Sequence, residues 1–358
     1  MTPRRLVLLF AIGFLVIVLA VWLSSKRHLE RATSAGDLVL PGLEKGLNSI
    51  SAVTLAKGDA TKTTLKKGDT QWTVGERGYA ADSGKVRKLL LDLASLNVVE
   101  EKTRTPENFP QLGVEDVNSP KAGGTRVDAV TPAKTYSIIV GKSSSAKSGY
   151  VRVVNSEQSL LAAPALSVDA DPRRWLDKNF LDVQQEKIKE FAVKPADGPG
   201  YSAARPSKDQ TDFSVTGVPK GRELSNPTAA DPIAGSLANL QLDDVQHAPE
   251  HAATAPESKT AAPAGLAHAT FKTFDGQQYE VAGHKEGNRT LIAVTSSIAD
   301  ENKRLQGWEF EVPAYKYDAI FRPLEDLLKK LPEKPKPGDK KAAGKKDASA
   351  AGDSLPAN

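Results

Sequence analysis

Reactive side chains that recur at catalytic spacings are few in this chain. The closest match to a metal site is His247-Ala248-Pro249-Glu250-His251, which fits the H-x-x-E-H pattern of inverted zinc peptidases. That chemistry needs both His on one helical face with the Glu beside a metal-bound water. Pro249 interrupts any such helix, and the flanks from Val245 to Ala264 are rich in Ala, Pro, Thr and Ser. His247, Glu250 and His251 are therefore the only metal candidates, and the segment reads as a solvated loop. No cofactor is expected.

Other fragments fall short in similar ways. Val140-Gly141-Lys142-Ser143 resembles the end of a phosphate loop, but Tyr136 stands where the first Gly of that motif is required, so a strand-end turn is expected. There is no G-x-S-x-G elbow, and His28, His268 and His284 have no evident nucleophile partner. The acid pairs Glu100-Glu101 and Asp243-Asp244 could supply acid and base, but read better as charged strand ends. Trp72, Trp175 and Trp308 read as core or interface anchors. No enzyme is expected.

Composition narrows the function further. With 358 residues the chain has room for two folded units and tails. It contains no Cys, which excludes disulfides, thiolate catalysis, Cys-ligated metals and a lipid-modified cysteine. From Lys329 to Asn358, eight Lys face four acids, an excess equal to the whole net charge of +4. The remaining body is neutral and lacks the single-sign field of nucleic-acid binders.

The elements that would position these residues begin with a membrane anchor. Leu6 to Leu23 is free of charge and, at 1.5 Å per residue, reaches about 27 Å, close to the hydrocarbon thickness. Arg4 and Arg5 flank one end and Trp22 the other. The core is too long for a cleavable signal, so an uncleaved single-pass anchor is expected, with residues 1–5 as a cytoplasmic stub and 24–46 as a stalk.

Beyond the stalk the pattern is α+β: two tandem, duplicated α/β units with mainly antiparallel sheets, spanning 47–166 and 188–328. Ile50 to Leu55, Thr61 to Leu65 and Gln71 to Val74 predict a meander. Asp82 or Ser83 caps a helix whose Val86, Leu89, Leu90, Leu93 and Leu96 share one face. Further strands are expected at Val98–Glu101, Arg126–Val130, Thr135–Val140 and Tyr150–Val154. The order recurs from Ile188: Leu237–Leu242 echoes Leu93–Val98 at an offset of 144, and Tyr279–Lys285 echoes Tyr136–Lys142 at 143. Residues 167–187, opening with Asp171-Pro172, predict a connecting helix. Residues 329–358 read as a disordered Lys/Ala/Pro-rich tail.

Several short motifs in this order resemble one known family. They are Trp72-Thr73-Val74, Tyr79-Ala80-Ala81-Asp82, Leu112-Gly113-Val114, Ile139-Val140-Gly141-Lys142, Tyr150-Val151-Arg152, Trp175-Leu176-Asp177-Lys178 and Trp308-Glu309-Phe310-Glu311-Val312-Pro313. The chain is similar over residues 48–328 to the bacterial family called domain of unknown function 4340. That resemblance implies a protein anchored in the cytoplasmic membrane with its bulk periplasmic, an accessory or scaffolding component beside ABC transporter subunits of the gliding-motility type. It implies no catalytic residues. The alternative reading is a module binding an envelope glycan or polymer, suggested by the aromatics and the Lys-rich tail. A zinc hydrolase through His247, Glu250 and His251 is the third.

Overall fold

The computed structural model describes residues 35–248 and 265–330. The expected anchor, the stub, part of the stalk and most of the Lys-rich tail lie outside these residues. Among the described residues no helix is long and apolar enough to cross a membrane.

Alternating burial builds the strands. β1 (Ala52–Ala56), β2 (Lys62–Lys67), β3 (Trp72–Val74) and β4 (Tyr79–Ala80) form the predicted antiparallel meander. β5 (Asn97–Glu101), β6 (Thr125–Val130), β7 (Thr135–Ser143), β8 (Gly149–Val153) and β9 (Ser159–Ala163) complete a nine-stranded sheet of order β4-β3-β2-β1-β6-β7-β8-β9-β5. Val53, Leu55, Val127, Ile138, Val151 and Leu160 lie on its inner face and are buried. The helix Ser83–Ala94 covers part of that core through Val86, Leu89, Leu90 and Leu93, and the Asp82 carboxylate caps it by accepting the Lys85 N–H at 3.0 Å.

The second sheet is built from β11 (Ile188–Lys194), β12 (Tyr201–Ala204), β13 (Ser214–Thr216), β15 (Asp244–His247), β16 (Ala267–Thr273), β17 (Gln278–Glu286), β18 (Arg289–Ser296) and β19 (Trp308–Glu311). Its order is β13-β12-β11-β16-β17-β18-β19-β15. Apart from β4, each strand occupies the position of the strand numbered ten lower in the first sheet. A two-stranded pairing of β10 (Asn179–Leu181) with β14 (Leu240–Gln241) stands beside it. All these ladders are antiparallel. Phe191, Phe213, Phe271 and Phe310 fill the inner side, covered by the short helices Asp231–Ala234 and Ala314–Ile320. Gly283 is required here because a Cβ would strike the ring of Phe321. The buried residues of both sheets form one contiguous core.

Two expectations need correction. The connecting helix over 167–187 is instead a single 3-10 turn at Pro172–Arg174 followed by β10, and a second such turn at Gln185–Lys187. Phe180, Leu181 and Val183 are all buried, and the extended segment, paired with β14 and bonded to Leu237, buries them where a helix would turn some outward. The described part of the expected stalk is also not free: Val39, Leu40 and Leu43 are buried, and Leu38 bridges to Asn97.

The first sheet carries a smaller apolar cluster on its opposite face. Phe109, Val114 and Ile139 are buried there, beneath the turn that follows the short helix Phe109–Leu112. A Cβ on Gly141 would meet the carbonyl oxygens of Leu112 and Gly113, so the strand admits only Gly at this contact. Gly141→Ala is expected to lower stability by about 1–3 kcal/mol in urea titration, whereas Gly149→Ala, whose added carbon makes only ordinary contacts, should change it by less than about 1 kcal/mol.

Candidate functional site

The described residues with the densest polar chemistry lie where the first sheet meets the far edge of the second. The turn between β3 and β4 carries Arg77 and Gly78 onto β15 and β19. Arg77 donates through Nε to Asp244 Oδ1 at 2.7 Å and through Nη2 to Oδ2 at 2.8 Å. Gly78 has a left-handed φ of 68°, which lets the turn close against Trp308 and His247. Tyr79 meets Trp308 edge-on at 5.2 Å and Phe310 at 6.0 Å, while Phe180 stacks on Phe310 at 4.1 Å. Burial, with the Asp177 charge nearby, pushes the Tyr79 phenol up to about 12.

Strand alternation places Asp244, Gln246, Glu309 and Glu311 on the opposite face from these aromatics. Arg289 on β18 donates to Glu311 at 2.6 Å and to the Gln246 side-chain oxygen at 3.0 Å. Gln246 in turn donates to Glu309 Oε2 at 2.9 Å. Glu309 is 5% exposed. Its other oxygen lies 3.8 Å from His284 Nδ1, beyond hydrogen-bond reach. A carboxylate and an imidazole can move a proton together. Among the described residues, however, no hydroxyl hydrogen-bonds either group, and no cluster of His, Asp and Glu is placed to hold a metal ion.

The sequence candidates are dispersed. His247 ends strand β15 with its ring stacked 4.1 Å from Trp308, so it belongs to the sheet edge and not to the solvated loop expected. Glu250 and His251 lie outside the described residues. Gly141 and Lys142 fall within β7, not in a turn after it, and Lys142 donates to the Gln111 carbonyl oxygen at 2.9 Å. Glu100 and Glu101 end β5 and pair with Lys102 and Arg104 just beyond it. Trp175 is buried and donates to the Asp169 carbonyl oxygen at 2.7 Å, and Trp72 packs partly buried on the core. His268 Nε2 is buried without a hydrogen-bond partner, and stands on β16 opposite Ala282.

Sequence reasoning missed three groups. Asp244 was one half of an acid pair; its partner Arg77 lies 167 residues away. Arg152 and Arg205, both 4% exposed, are satisfied largely by backbone oxygens: Arg152 by Val114 and Ser156 with Asp116, Arg205 by Gln185, Glu186, Ile188 and Gln210. Lys316 donates to the Ala238 carbonyl oxygen at 2.7 Å, and burial lowers its pKa. No sequence spacing signals these, because most of the partners come from segments distant in sequence.

The Arg77–Asp244 pair links pH to stability. Burial raises the Asp244 carboxyl, but the hydrogen bonds from Arg77 and the Val245 N–H together with the Arg77 and Arg173 charges outweigh it, so its pKa is below the ordinary value. A depressed carboxyl stabilises the fold above its unfolded pKa, and that contribution is lost as pH falls through the folded value. Asp244→Ala is expected to cost about 1–3 kcal/mol near neutral pH. In urea titrations across pH 7 to 2, the gap between wild type and Asp244→Ala should narrow below about pH 4.

With this geometry in place, comparison with known proteins is informative. A family model described as Domain of unknown function (DUF4340) matches residues 72–267, from the start of β3 to the first residue of β16. No curated protein and no solved structure matches the chain. The matched span covers more than half of the 358 residues and includes strands of both sheets, so the chain belongs to the family of the domain of unknown function 4340.

Proposed function

We propose that the protein is a non-enzymatic accessory or scaffolding component of an ABC-type transport system, anchored by Leu6 to Leu23 with its folded body outside the cytoplasmic membrane. The observation that carries this reading is the repeated strand order of two sheets joined through one core. The order, with the sequence echoes at offsets of 143 and 144, supports a tandem duplication of one unit. The echoes lie at comparable places: Asn97 bridges to Leu38 before β1, and Gln241 pairs with Asn179 before β11.

A duplicated, joined pair of sheets presents broad rigid surfaces rather than a single enclosed pocket. On the outer face of the second sheet Ala192, Ser202, Thr270, Ala282 and Ala293 make a floor of small side chains edged by charged ones. Such a surface suits docking against another folded protein, where shape and polar pairing set specificity.

Two measurements test this reading. Crosslinking of the full chain in its native membrane, followed by mass spectrometry, should recover transporter subunits, and repeated failure to recover any would remove the reading. The chain has no Cys, so a cysteine placed at exposed Ser207 should react with an impermeant thiol reagent in intact spheroplasts. Labelling only after lysis would mean the opposite orientation.

A further inference from the structure

We infer that a cleft where the chain enters the first sheet binds a phosphate-bearing group, in the membrane the headgroup of an anionic phospholipid. The cleft has a volume of about 310 Å³. Val39, Leu40 and Pro41 form its apolar wall, and the start of β7 with the end of β8 forms the other side. Gly42 lets these parts close together: its φ is 91°, and a Cβ there would come 3.2 Å from the Tyr136 hydroxyl.

Both ionisable cations lining the cleft have donors to spare. Lys134 is exposed, its Nζ 4.2 Å from the centre of the Tyr136 ring, and has no carboxylate partner among the described residues. Arg126 donates to Asp128 through Nε alone, at 2.9 and 3.0 Å, which leaves both terminal nitrogens without a hydrogen bond among the described residues. No carboxylate lines the cleft. Asp128, on β6 opposite Ser137, is engaged by Arg126, and Glu44 accepts from the Gly42 N–H at 2.8 Å.

The side chains of Thr135, Ser137 and Asn155 add neutral donors at the rim. Register puts Lys134 with Tyr136 on the core side of β7 and Arg126 with Ser137 on its outer side, so the two cations flank the cleft from opposite sides, and with the hydroxyls and the amide they match the oxygens of a phosphate monoester or diester. The apolar wall of the cleft matches the glycerol or acyl end beside that phosphate. The phosphate chemistry stands on these residues alone.

The lipid source rests on the anchored reading above. On that reading 15 residues lie between Leu23 and Val39, a tether of at most about 58 Å. The cleft is then within reach of the outer leaflet, and a surface rich in phosphatidylglycerol attracts Lys and Arg by about 1 kcal/mol each.

The test uses the full chain in two arms, read by hydrogen–deuterium exchange of the peptides covering 39–42 and 134–137. In one arm, glycerol phosphate is titrated against the chain in zwitterionic detergent. In the other, the chain sits in nanodiscs of phosphatidylcholine alone or of phosphatidylcholine and phosphatidylglycerol in equal parts. Protection is expected with glycerol phosphate and in the anionic nanodiscs. Lys134→Ala should weaken glycerol phosphate binding about fivefold, Arg126→Gln should weaken it as well, and Lys147→Ala, on an exposed turn away from the cleft, should not. Protection by glycerol phosphate without any in anionic nanodiscs would keep the phosphate site and overturn the lipid source, while thiol labelling at position 207 separately judges the orientation. No protection in either arm, or protection unchanged by both Lys134→Ala and Arg126→Gln, would overturn the site.

Discussion

The fold depends on the contact between the β3–β4 turn and the edge of the second sheet. Each sheet is antiparallel, with an apolar inner face that must be covered. The short helices on each sheet cover only part of that face. Tyr79, Phe180, Trp308 and Phe310 complete the cover by interlocking aromatic rings from both halves. The Arg77–Asp244 pair seals the rim of this contact, with side chains 30% and 16% exposed. Its two hydrogen bonds fix direction more than they add energy, because partial burial costs both charges part of their hydration.

That contact explains the path of the chain between the sheets. The Ala80 carbonyl oxygen accepts from the Asp177 N–H at 3.0 Å, and the Trp175 carbonyl oxygen accepts from the Asp82 N–H at 2.8 Å. Residues 175–177 therefore extend the meander by one irregular strand before turning into β10. The edge at β4 is paired by the protein itself and is not left as a free template for another chain.

Outside the core, the two sheets differ in how their second faces are used. The first sheet folds the turn around Gly113 onto Gly141 and places the buried Arg152 beneath it. On the second sheet the corresponding strands carry Ala282, His284 and Ala293, half-buried, with Glu309 buried beside them. Repetition of the strand order thus does not repeat the surface. Like frameworks carry unlike faces.

Much of the local structure was legible from the amino-acid order. The buried stripe from Val86 to Leu96, its Asp82 cap, the meander and the later strands follow from periodicity and turn chemistry, which act over a few residues. The recurrence near 143 residues is an expectation read from the same alternation; the structure adds that the two sheets share a strand order. What only the tertiary structure decided was whatever required two distant segments. The Asp171-Pro172 start resembles a helix cap, yet burial of Phe180, Leu181 and Val183 favours an extended chain, since packing outweighs weak local propensity. Likewise Asp244 reads as one of two neighbouring acids until the fold brings Arg77 beside it, and Lys134 and Arg126 become one cleft only when β6 and β7 pair and residues 39–41 close over them. Local patterns determined the elements; the need to bury both sheets against one core determined their partners.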